Sequence, residues 1–178
     1  MSKKIVLVFI FLAIFMTVGA WLVIVKDVPI DLMSQEFINK KMGSLKLTSS
    51  VFGDNETMPA KYTCDGEDIS PPFFISGVLE KAKSLVLIMD DPDVPKSIRA
   101  DGMWDHWVVF NMPPNVTEIP EGAKPSGVLG KGTGGEMGYH GPCPPDREHR
   151  YFFKIYALDT MLDLKAGSTK KEVEIAME

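Results

Sequence analysis

Residues 84–112 read SLVLIMDDPDVPKSIRADGMWDHWVVFNM. Two runs, Ser84–Met89 and His106–Met112, are almost wholly apolar, and the first ends in the turn Asp90-Asp91-Pro92-Asp93-Val94-Pro95. Short apolar runs bounded by Asp, Pro and Gly have the pattern of strands buried on both faces. Tyr151–Leu158 is a third such run, filled with β-favouring aromatics. None of the three is followed by an amphipathic helix of useful length, which argues against βαβ units and a parallel sheet. Thirteen prolines and fifteen glycines add many turns. The expectation is a mainly β domain, an antiparallel two-sheet sandwich with long loops. Upstream, Leu45–Phe52 alternates apolar with polar, as a half-buried strand does, and a turn-rich loop runs from Gly53 to Pro72. Downstream, Thr169 and Glu172 have capping-box spacing. Val173, Ala176 and Met177 come next at helical spacing, so a short C-terminal helix of about two turns is expected.

The 178-residue chain divides into four parts. Residues 1–4, with Lys3 and Lys4, form a charged cytoplasmic flank; residues 5–25 are uncharged and apolar; residues 26–44 read as a linker; residues 45–178 form the domain. Twenty-one apolar residues at about 1.5 Å each match the roughly 30 Å hydrocarbon layer of a bilayer. Positive charge before the run directs the downstream chain out of the cytoplasm. Two readings stand: an uncleaved signal-anchor holding an extracytoplasmic domain at the membrane, or a signal peptide cleaved near Ala20 and a secreted domain. One helical turn is expected in the linker, around Gln35–Lys41. The net charge of -5 excludes a protein built to coat nucleic acid.

Several motifs carry candidate chemistry, and each has a plain structural reading beside it. The Asp90–Pro95 segment alone is a strand-terminating turn. Trp104-Asp105-His106-Trp107 opens one apolar run and His149-Arg150-Tyr151 another. Strand alternation puts His106 with Val108 and Phe110 on one face and Trp107 with Val109 on the other. It also puts His149 beside Tyr151 and turns Arg150 away. In an antiparallel sheet the acidic turn and the two histidine-bearing strand starts can lie at one end. Gly130-x-Gly132-x-x-Gly135 matches a dinucleotide fingerprint but lacks the βαβ unit that would give it meaning, so these glycines read as backbone freedom for a close-lying loop. His106, His140 and His149 have no metal-ligand spacing, and no metal or cofactor is expected. Cys64 and Cys143 are the two cysteines; a disulfide and two buried thiols are both open on these grounds.

Taken in order, Asp91-Pro92-Asp93-Val94-Pro95, His106–Asn111, Gly141-Pro142-Cys143-Pro144-Pro145 and His149-Arg150-Tyr151 resemble the signature blocks of phosphatidylethanolamine-binding proteins, a family that includes Raf-kinase-inhibitor-like proteins. Cys64–Pro72 and Leu158–Gly167 resemble its prokaryotic branch. The resemblance implies a large and a small antiparallel sheet and a small anion pocket at one end. The ligand-binding residues it implies are Asp91, Asp93, Trp104, His106, Gly141, Cys143, Pro144, His149 and Tyr151. It places the Cys64 and Cys143 loops at the ligand end, so a disulfide between them is expected. Cys143 stands where the eukaryotic branch usually has glycine. The family continues past Met177 into a further helix and strand, so the resemblance also implies a truncated C-terminus. The function it implies is binding of a small anion of phosphate or phospholipid head-group type, with His106 and His149 as donors, and modulation of a partner protease or kinase. Two alternatives are an extracytoplasmic Asp–His hydrolase and an inhibitory module acting independently of the pocket. The family reading carries no catalytic residue.

Overall fold

The computed structural model describes residues 44–178. The apolar run Ile5–Val25 and all but the last residue of the linker lie outside it. Among the described residues no helix is long and apolar enough to cross a membrane.

The core is the large sheet. Strands β1 (Lys46–Thr48), β2 (Phe73–Ser76), β3 (Ser84–Asp91), β4 (Trp104–Met112), β5 (Glu118–Ile119), β6 (Val128–Leu129) and β7 (Phe152–Leu158) are followed by one helix, α1 (Lys170–Met177). They form a four-stranded sheet in the order β6-β4-β3-β7 and a three-stranded sheet in the order β1-β2-β5. All named pairings are antiparallel. Every residue of β3 is buried, because both faces of the large sheet are covered. Leu85, Leu87 and Met89, with Trp107, Val109 and Met112, pack against Phe73, Ile75 and Ile119 of the small sheet. Val86, Ile88, Val108 and Phe110 pack on the other side against Leu162 and against Val173 of α1. The two-sheet β fold expected from the sequence is the one observed.

Three departures from the sequence pattern matter. Strand β1 is shorter than the alternation of Leu45–Phe52 predicts. Its partner β2 begins after Pro71-Pro72, which have no N–H to continue a ladder, so pairing stops at Thr48↔Phe74. At the far end of β4, Asn111 has φ 55° and breaks the register. Its side-chain amide clasps the backbone of Leu162, Nδ2–H to O and Oδ1 from N–H, both at 2.8 Å. The third departure is a bulge at His106. Met89 pairs with Trp107 but Asp90 pairs with Asp105, leaving His106 as the extra residue. A bulge resets which face the neighbouring side chains use. Asp105 therefore faces α1, where it meets Lys170. His106 instead packs on Tyr151, on the inter-sheet side together with Trp107. The simple alternation that groups His106 with Val108 and Phe110 is thus corrected by one inserted residue.

Helix α1 starts on a complete capping box. Glu172 N–H donates to Thr169 Oγ1 and Thr169 N–H donates to Glu172 Oε2 at 2.7 Å. Val173 anchors the helix, and Lys170 carries a buried charge. Its ammonium lies 2.8 Å from Asp90 Oδ2 and 2.9 Å from Asp105 Oδ1, while Lys154 reaches the same Asp90 oxygen at 2.7 Å.

Candidate functional site

The register brings three chain segments to one end of the large sheet. Asp91 pairs with Trp104 and Asp90 with Phe152, so the end of β3 meets the starts of β4 and β7. A cavity of about 210 Å³ opens there, on the inter-sheet face. Asp91, Trp104, His106, Cys143 and Tyr151 line it, joined by Val94, Ile98, His140 and Pro145. Asp93, Gly141, Pro144 and His149 do not line it.

Three of these four have a defined neighbouring task, and Pro144 is exposed in the loop before β7. Asp93 is taken by Arg150: its carboxylate accepts Nε–H at 2.8 Å, Nη2–H at 2.7 Å and the backbone N–H at 2.9 Å. The guanidinium holds the Asp93 carboxyl well below the usual carboxylate range. His149 is buried, donating from Nδ1 to Asp91 Oδ2 at 2.7 Å and from Nε2 to Asp146 Oδ1 at 2.9 Å. Two carboxylate acceptors require two N–H donors, so the ring is an imidazolium. Burial works to lower its pKa, but Asp91 and Asp146 outweigh burial and hold it above the ordinary histidine value. Both ring nitrogens are therefore engaged, and His149 acts by holding Asp91 in place. The other Asp91 oxygen accepts the Asp93 N–H at 2.8 Å, which fixes the turn.

His106 differs. Its Nδ1–H donates to the His140 carbonyl at 2.8 Å, which fixes the tautomer and leaves Nε2 without a partner among the described residues. Burial pushes its pKa below the usual histidine value, so the ring is neutral at pH 7. Tyr151 stands edge-on to it, ring centroids 5.4 Å apart. The Tyr151 hydroxyl is buried with no hydrogen-bond partner among the described residues. Burial and the nearby Asp91 charge push its pKa well up, so it remains a neutral O–H donor. A buried donor without an acceptor is costly unless something comes to meet it.

The remaining wall is a strap, residues 137–145, that returns from the Gly-rich stretch. Gly141 N–H donates to Asp68 Oδ1 at 2.6 Å, and Cys64 N–H donates to the Pro142 carbonyl at 3.0 Å. Cys64 and Cys143 are joined by a disulfide, Cα atoms 5.4 Å apart. Gly141 is required at this crossing, since a Cβ there would lie 2.5 Å from the Tyr62 carbonyl oxygen. The strap delivers His140, whose Nδ1 lies 3.3 Å from Asp68 Oδ2 and whose ring is 6.2 Å from His106. Sequence reasoning gave His140 no role; its one signal was its place directly before Gly141-Pro142-Cys143. Among the described residues no cluster of three metal-ligating side chains occurs.

Comparison with known proteins is consistent along the whole domain. The family model described as phosphatidylethanolamine-binding protein matches residues 48–178. A UPF0098 protein of Chlamydia trachomatis is 50% identical over 134 residues, covering 75% of this chain and 89% of its own. A Pyrococcus horikoshii UPF0098 protein is 52% identical over 145 residues, covering 76% and 70%. The crystal structure of a phosphatidylethanolamine-binding protein homologue from Chlamydia trachomatis superposes with a TM-score of 0.74 at 49% identity, over 76% of this chain and 89% of that one. Escherichia coli YbcL, described as a new member of the mammalian family, gives 0.67 at 32% identity, over 75% and 88%.

Proposed function

Because the chain belongs to the phosphatidylethanolamine-binding protein family, we propose that the cavity beside His106 binds a small anion of phosphate or phosphorylated head-group type. The observation that carries this is the pairing of a buried, unpartnered Tyr151 hydroxyl with the unengaged Nε2 of His106 in one wall. On protonation His106 becomes a charged donor aimed from the same wall, and charge-assisted hydrogen bonds are the strong ones. Asp91 is no obstacle, since the His149 imidazolium neutralises it. The same pairing removes Asp91–His149 as the working pair of a hydrolase: His149 cannot act as a base while both its nitrogens are held by carboxylates.

Binding then takes up a proton at His106. Its pKa in the free protein lies below about 6.5, so affinity is full at pH values below that pKa and falls as pH rises through it. Titration calorimetry with inorganic phosphate and with phosphoethanolamine, at pH 5.5 and 8, tests this. His106→Ala should weaken both at pH 5.5 by about 10- to 150-fold, the loss of one charge-assisted bond of roughly 1.5–3 kcal/mol. The ligand's own ionisation is common to both proteins and cancels in their ratio. That ratio should shrink at pH 8; equal affinities for both proteins at pH 5.5 would remove the anion site from this cavity. Tighter phosphoethanolamine than phosphate assigns the head group rather than the free ion. Modulation of a partner protease or kinase is a further part of the proposal, and the loops around the cavity mouth are its surface.

The domain is proposed to work outside the cytoplasm, tethered by Ile5–Val25 or released after Ala20. Lys3 and Lys4 before the apolar run support that orientation, and a disulfide suits an oxidising compartment. A reporter active only in the cytoplasm, fused after Glu178, should be silent; a strong signal would reverse the topology.

A further inference from the structure

Two neutral donors are buried without a partner among the described residues, the Tyr151 hydroxyl and the Trp107 indole N–H. Tyr151 belongs to the anion cavity. Trp107, only 1% exposed, lines a second cavity of about 320 Å³. The strap contributes to both: Tyr139 is in the second wall and His140 in the first. The walls of the second cavity are largely apolar, with Ile69, Leu129 and Tyr139 among them, and Tyr139 stands edge-on to Trp107 at 5.3 Å. An apolar cavity of about 150 Å³ already holds benzene, so this one has room for a ring or short chain with a polar group.

The polar residues of the wall set the sign of that group. Lys124 is exposed and makes no ion pair among the described residues. Asp68, the acid in the wall, is already engaged on both oxygens, Oδ1 accepting from Gly141 N–H and Oδ2 facing His140 Nδ1 at 3.3 Å. What is left is the buried Trp107 N–H, the Ser70 hydroxyl and one exposed cation at an apolar cleft. That set suits a single negative charge on an apolar body. A phosphate, with more charge and more acceptor oxygens, would leave most of them unmet here.

We propose that this second cavity binds a small apolar carboxylate, with one oxygen accepting the Trp107 N–H and Lys124 supplying the counter-charge. It is separate from the anion site and does not depend on it. The two indoles give the readout, because Trp104 lines the first cavity and Trp107 the second. In proton–nitrogen spectra of the full-length chain in detergent micelles, the indole signals are assigned through Trp21→Phe and Trp104→Phe. Benzoate should shift the Trp107 indole N–H along a saturable curve while Trp104 stays in place; inorganic phosphate should do the reverse. Benzyl alcohol, the neutral counterpart, should bind about two- to fivefold more weakly than benzoate, and Lys124→Met should erase that difference, as expected of an exposed ion pair. Ala123→Leu, which adds bulk to the wall from a loop, should abolish the Trp107 response without lowering thermal stability. The proposal fails if benzoate gives no saturable shift of Trp107. It fails equally if Ala123→Leu leaves the shift intact, or if Trp104 moves with the same midpoint.

Discussion

Removing the Cys64–Cys143 disulfide should cost up to about 4–5 kcal/mol of stability at 25 °C, the value that the chain-entropy model gives for a loop of this length. The two cysteines are 79 residues apart, so the bond closes the last part of the loop before β2, strands β2 to β6 and the Gly-rich stretch into one ring. The unfolded chain loses much of its freedom through that ring, while the folded chain already holds the two loops together by Gly141 to Asp68 and Cys64 to Pro142. The cross-link therefore acts chiefly on the unfolded state. A Cys64→Ala, Cys143→Ala double variant, unfolded in urea beside the oxidised protein, gives the difference directly. A gap under about 1 kcal/mol would show that the strap needs no covalent tie. Because Cys143 also lines the cavity beside His106, the phosphate affinity proposed for that cavity should fall in the same variant.

The second large effect is expected at Lys170. Lys170→Met keeps the stem and its packing but removes the ammonium between Asp90 and Asp105. Breaking a buried ion cluster by deleting one partner costs about 3–5 kcal/mol, because the opposite charge stays buried without compensation. Lys154 still serves Asp90, so the lower end of that range, about 3 kcal/mol, is the expected loss in urea unfolding. Adding Asp105→Asn to Lys170→Met should recover more than half of it. A single variant within about 1 kcal/mol of wild type would mean that the cluster contributes little. The charge also has a pH signature. Burial works to lower the Lys170 pKa, but Asp90 and Asp105 outweigh burial and raise it. Its stabilising contribution is therefore fully present below the unfolded value of about 10.4 and is lost as pH rises through the folded one.

The sequence carried the parts of the fold that depend on local pattern. Strands β3, β4 and β7 are long, apolar and closed by Asp, Pro or Gly, and the helix start is written in Thr169 and Glu172. Strands β5 and β6 have two residues each and exist only because β2 and β4 offer partners. No periodicity can show in two residues. Of the site, convergence of the acidic turn with the two histidine-bearing strand starts was legible as an option that an antiparallel sheet allows; pairing of β3 with both β4 and β7 realises it. The division of labour was not. Alternation carries parity but not a slip in register, so the bulge that turns His106 inward left no mark. Nor could spacing reveal that Asp146 takes the second nitrogen of His149 and Arg150 takes Asp93, because those partners meet only after the loop before β7 has folded.

The bulge at His106 also makes the cavity sensitive to chain length, not only to side-chain identity. Deleting Asp105 would leave β3 and β4 with an unbroken ladder at this point, in backbone terms the more regular sheet. The histidine would then occupy the position that Asp105 holds now, facing Lys170 across α1. A one-residue deletion that tidies the sheet would take His106 out of the cavity wall and put its imidazole beside the buried lysine. Among homologous chains, gaps should therefore be rarer between Trp104 and Trp107 than substitutions are, because the irregularity itself is what holds His106 in the cavity wall.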